Sequence, residues 1–145
     1  MSLDDETEDR ILENVAYIQE AVDILAEKQT LDEAAYLQDR QQRDIVEREF
    51  QTAIEACIDI ATLLCKSIDT DIPEHNAAKF TLLQREAVVT DETAVEMQEA
   101  VGFRNVLAHR YGDKIDDSLV YRSLQSDLHW FTRFLRDVRA FLESD

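Results

Sequence analysis

Residues that let a chain turn sharply are nearly missing here. The 145 residues include two glycines and one proline, against ordinary usages of about 7% and 5%. An all-β or doubly wound domain needs many more chain reversals, so the scarcity points to an all-α chain. Membrane-spanning runs are missing too, since no stretch approaches roughly 18 consecutive apolar residues. The N-terminus, Met1-Ser2-Leu3-Asp4-Asp5-Glu6, is acidic and lacks the basic and apolar regions of a secretory signal. Cysteine is confined to Cys57 and Cys65. Two helical turns place such residues about 12 Å apart, too far for a disulfide, and the spacing does not match metal ligands. Both read as small buried hydrophobes, and a cytoplasmic location is expected.

Lysine is also scarce, at four of the 15 basic residues, and 32 acidic residues bring the net charge to −17. Low lysine with high acid fits a protein from a salt-rich, halophilic setting, where salt screens self-repulsion. The alternative is an acidic face for a basic partner. No broad basic patch marks a nucleic-acid surface, so any RNA contact must come from a local group of arginines.

What is present is helical periodicity over a length that suits one domain, 1–145. Ile11, Val15, Ile18, Val22 and Leu25 alternate steps of four and three, predicting a helix over 5–28. Thr30 with Glu33 reads as a capping box opening a long second helix over 31–67. Its first half is polar, with Gln38, Arg40, Gln41, Gln42, Arg43 and Arg48, and i,i+4 pairs such as Asp44 with Arg48 are expected on a solvated face. Its second half carries Val46, Phe50, Ala53, Cys57, Ile60, Ala61 and Leu64 and should be the central buried helix. Asp69, Thr70, Asp71 and Pro73 form a connector, followed by a short helix over 77–88. Thr90 or Asp91 should cap a fourth helix ending near Gly112. A fifth follows Asp116 or Asp117, with Tyr121, Leu124, Leu128, Phe131, Leu135, Val138 and Leu142 in three-four spacing. Such a pattern describes an up-and-down bundle of about five helices around a four-helix core.

The chemistry is concentrated in the fourth helix, in Phe103-Arg104-Asn105-Val106-Leu107-Ala108-His109-Arg110-Tyr111-Gly112, edged by the only two glycines. On an ideal helix Ala94, Met97, Ala100, Val101, Phe103, Leu107 and Ala108 form one apolar arc. Arg104 falls in its middle and Tyr111 within about 20° of Arg104. A guanidinium on that face is costly unless it is paired or meets a polar cleft. Asn105 and His109 are i,i+4 neighbours, so the amide can orient the imidazole. Arg104 and His109 lie about 140° apart on an ideal helix. They converge only if the helix distorts or a second copy lies alongside, which points to a composite site on a two-fold axis. The bland alternatives are a helix-end histidine serving as a dipole partner and an arginine paired with a buried acid such as Glu55 or Asp59. His75 and His129 read as ordinary helix-face residues.

The run Arg-Asn-x-x-x-His-x-Tyr, here Arg104, Asn105, His109 and Tyr111, resembles the signature of the HEPN superfamily. More narrowly it is similar to the HepT-type toxins of HEPN/MNT toxin–antitoxin systems. The segments 41–48 and 54–61 resemble that family's long second helix, and Tyr121 with the apolar heptads its last. The resemblance implies an all-α HEPN bundle that forms a homodimer with the motifs facing the dimer cleft. It also implies a metal-independent endoribonuclease without cofactor, acting on an RNA substrate through Arg104, Asn105 and His109. The partner it implies is an MNT-type nucleotidyltransferase antitoxin, which would transfer AMP to Tyr111 and so block the cleft. The alternatives left open are a non-catalytic HEPN-like module that binds nucleotide or RNA and a structural helical dimer.

Overall fold

The computed structural model describes residues 3–68, 71–108 and 115–144. Among them the chain forms seven α-helices and no strand: α1 Asp5–Lys28, α2 Glu33–Gln38, α3 Arg40–Ile68, α4 Asn76–Arg85, α5 Asp91–Ala108, α6 Asp117–Ser126 and α7 His129–Glu143. The all-α expectation holds, while about five helices becomes seven because two predicted helices are each interrupted.

Local capping explains the first break. Thr30 opens no helix; its hydroxyl donates to the Glu27 carbonyl at 3.0 Å as α1 closes. The Asp32 carboxylate instead accepts from Ala35 N–H at 2.8 Å and starts α2. Seven residues on, Asp39 adopts extended backbone, with φ −111° and ψ 98°. It also accepts from Gln42 N–H at 3.3 Å, in the first turn of α3. At the other break, α6 ends at Ser126, with Asp127 as its C-cap, and α7 begins at His129. Phe131 and Val138 are buried as expected, joined by Trp130 and Phe134 as the buried apolar residues of α7, while Leu128, Leu135 and Leu142 only flank the core.

The predicted central helix is central. α3 contacts all six other helices, and its second half buries residues on almost every side, from Ala53 through Cys65. α1 lays Ile11, Ile18, Ala21 and Leu25 along it. Cys57 and Cys65 are both buried free thiols, and burial pushes both up from the ordinary thiol value.

α5 is pinned at its start. Thr90 caps it, its hydroxyl accepting from Thr93 N–H at 3.1 Å. Buried Asp137 of α7 accepts from Thr90 N–H at 3.0 Å and from the Thr90 hydroxyl at 3.3 Å. Arg133 then pairs with Glu92 and Glu96, and His129 Nε2 lies 3.1 Å from Glu96. These contacts pair ascending residues of α5 with descending residues of α7, so the two helices run antiparallel. His129 is therefore more than a helix-face residue: it joins α7 to the edge of the α5 arc.

Candidate active site at the α3–α5 seam

Phe103 sets the rotation of α5 just before the candidate residues. Its ring meets Phe50 of α3 edge-on at 5.2 Å between centroids and Trp130 of α7 at 6.1 Å. Trp130 and Phe50 both continue to Phe131. Such edge-to-face packing favours one orientation beyond the area it buries. With Phe103 so fixed, and Ala94, Met97, Ala100, Val101 and Leu107 also buried, the arc expected from helical projection is realised.

Arg104 consequently leaves α5 against α3, with its side chain 25% exposed. Nη2 donates to Glu55 Oε1 at 3.1 Å. Nη1 reaches Asn105 Oδ1 at 3.4 Å, a long contact. Nε is enclosed without a hydrogen-bond partner. Of the two acids considered as partners for an inward arginine, Glu55 is the one that pairs, but it is half exposed rather than buried, and Asp59 is exposed elsewhere on α3. Burial of the guanidinium is thus partial, and its charge remains available at the seam.

One turn farther along α5, a groove of about 290 Å³ lies between Asp44, Glu47, Arg48 and Gln51 of α3 and Leu107 and Ala108 of α5. Glu55 pairs with Arg104, and Gln51, one turn earlier on α3, shares the groove wall with Leu107 and Ala108 at the end of α5, so α3 and α5 run antiparallel. The polar half of α3 therefore runs past the end of α5 and walls the groove. Its other arginines are engaged: Arg40 pairs with Asp44 at 3.7 Å and Arg43 with Asp117 at 3.5 Å. The expected Asp44–Arg48 pair is not formed, because Asp44 faces Arg40 one turn earlier. Arg48 is exposed and makes no ion pair among the described residues. Among the described residues, Arg48 and Arg104 are thus the cations at the seam of a chain with net charge −17.

Of the residues singled out from sequence, Arg104 and Asn105 are adjacent and in contact; His109 and Tyr111 lie outside the described residues, as does Gly112. Sequence reasoning named Glu55 only as a possible structural partner of Arg104 and gave no site role to Gln51 or Arg48. Their signal was spacing: positions 48, 51 and 55 recur every three to four residues along one edge of the apolar stripe of α3.

The model of the family described as ribonuclease HepT-like matches residues 11–138. The chain belongs to the HepT-like ribonuclease family. Two curated members are similar to it. The mRNA nuclease HepT of Shewanella oneidensis is 29% identical over 109 residues, covering 75% of this chain and 81% of the relative. The tRNA nuclease HepT of Aphanizomenon flos-aquae is 28% identical over 107 residues, covering 74% and 72%. Among solved structures, the tri-AMPylated Shewanella oneidensis HEPN toxin in complex with MNT antitoxin superposes with a TM-score of 0.83 at 26% identity. It covers 95% of this chain and 99% of that one. The HEPN-type fold is thereby established for this HepT-like chain.

Proposed function

We propose that this HepT-like chain is an endoribonuclease toxin that cleaves RNA without a metal ion. In this proposal Arg104 holds the scissile phosphate and His109 moves the proton. What carries the proposal is the state of Arg104: a partly exposed guanidinium, anchored at one terminal nitrogen by Glu55, one helical turn along α5 from a polar groove lined by Leu107 and Ala108, in a chain of a ribonuclease family. The chemistry needs three services. A base takes the proton from the ribose 2′-OH, whose oxygen attacks phosphorus. A cation stabilises the charge of the phosphorane. An acid protonates the departing 5′-oxygen. Histidine, with an ordinary value of about 6.5, can perform the first and third. Arginine's fork suits the second. The products are a 2′,3′-cyclic phosphate and a 5′-OH. Asn105, next to Arg104, would orient His109.

The active unit we propose is a homodimer joined along α5. Gly102 is exposed in the middle of that helix, and a Cβ built on it would meet nothing within 4 Å. An interior glycine costs about 1 kcal/mol relative to alanine, and nothing among the described residues requires one here. On the same face Val95 and Val106 are 53% and 52% exposed. Close approach of a second α5 would account for all three residues and would bring the two motifs together. An MNT-type nucleotidyltransferase antitoxin would silence the cleft by transferring AMP to Tyr111. The added phosphate would compete for the cations meant for RNA. Both relatives act on RNA by name, which supports a cytoplasmic role.

Expression in a bacterial host tests this proposal. The wild-type chain should arrest growth, His109→Ala should not, and co-expression with a cognate MNT-type transferase should add AMP to Tyr111 by mass spectrometry. Arrest by His109→Ala would overturn the assignment of the histidine, and an unmodified Tyr111 in cells rescued by the transferase would overturn that of the tyrosine.

A further inference from the structure

We propose that Glu55 is a positioning residue for RNA cleavage, acting through Arg104; the proposal rests on the function proposed above. Arginine has five N–H donors. In Arg104 one terminal nitrogen is held by Glu55 at 3.1 Å and the other touches Asn105 at 3.4 Å. One donor on each terminal nitrogen therefore remains for a phosphate oxygen. Among the described residues no other acid pairs with this guanidinium. Packing encloses the stem as far as Nε, so without Glu55 it is the terminal nitrogens that would lose their fixed orientation.

The exposure of the pair separates positioning from stability. Glu55 is 51% exposed and Arg104 25%. A pair so open to water contributes little to folding, and a half-exposed carboxylate is not needed to neutralise a buried charge. Close to a phosphate site it even opposes the substrate, in a chain already at net charge −17. The benefit that remains is geometric: the carboxylate fixes one edge of the fork and leaves the rest for RNA.

Three variants test this. Each is first checked for an unchanged urea midpoint, and each is then measured for kcat and KM on a short single-stranded RNA. Glu55→Ala removes both the acceptor and the charge, and kcat should fall roughly 10- to 100-fold, the scale of a misplaced catalytic group. Glu55→Gln keeps an acceptor oxygen of the same reach without the charge. It should recover most of the lost kcat and lower KM, because a repulsive charge has gone. Arg104→Ala/Glu55→Ala should be no slower than Arg104→Ala, since Glu55 acts through Arg104. A Glu55→Ala protein with wild-type kcat overturns the proposal. So does a Gln variant as slow as the Ala variant, or a double variant slower than Arg104→Ala. If Arg104→Ala itself cleaves at the wild-type rate, the proposed function fails. If Arg104→Ala is inactive while Glu55→Ala is unaffected, only the role of Glu55 fails.

Discussion

Replacing Asp137 with alanine should loosen the start of α5 without touching the site at its other end. Asp137 is 8% exposed, and its carboxylate takes two hydrogen bonds from Thr90, at 3.0 and 3.3 Å. A hydrogen bond to a charged group contributes about 1.5–3 kcal/mol. The longer second bond adds little, and relief of carboxylate desolvation offsets part of the loss. Thr90 is itself exposed, so water can reach the N–H left behind. The net cost is about 2 kcal/mol. For a chain of this size that lowers Tm by roughly 4–8 °C and shifts the urea midpoint by about 1 M with m unchanged. Asp137→Asn keeps one acceptor and should lose about half as much. Arg104 lies fourteen residues along α5 from Thr90, about 21 Å away, so the cleavage rate well below Tm should stay at the wild-type value. A midpoint within about 0.2 M of wild type would refute the pinning role of Asp137. A stable but inactive Asp137→Ala protein would refute the separation of the two ends.

Other consequences can be measured on the same protein. Ala87 follows α4 with φ 59°, a left-handed conformation that suits glycine, so Ala87→Gly should stabilise the fold by about 1 kcal/mol in urea melts. Burial holds the Cys57 thiol protonated past its ordinary value of 9.0. The folded chain therefore binds more protons than the unfolded one at alkaline pH. Stability should be intact below that value and fall as pH rises beyond it, with a shallower fall in Cys57→Ala melts. Screening the net charge of −17 should raise Tm as salt increases from about 0.05 to 0.5 M, until the Debye length drops below typical charge spacings.

How much of this was legible in the sequence depended on whether the deciding interaction was local. The buried half of α3 and the arc of α5 follow from repeating apolar positions, and so does the inward aim of Arg104. The breaks at Asp39 and Asp127 were not visible to periodicity, because a one- or two-residue interruption leaves the apolar stripes nearly in phase. Carboxylate caps at Asp32 and Asp39 made the decision at the first break, and Thr30, the competing cap signal, spent its hydroxyl on closing α1. Glu55 was named as a partner for Arg104, but its exposure was not foreseen. A contact spanning 49 residues is fixed by the packing of α3 on α5, not by spacing. The same holds for His129, whose partner Glu96 sits 33 positions away and was visible only as an acid at the edge of the arc.

End-group analysis of RNA cut by the purified chain in the presence of a chelator bears most directly on the proposed activity. The wild-type protein should leave 2′,3′-cyclic phosphate and 5′-OH ends, and His109→Ala should slow their formation by roughly 10²- to 10⁴-fold. Cleavage by His109→Ala at the wild-type rate would contradict the proposal, and so would fragments ending in 3′-OH and 5′-phosphate.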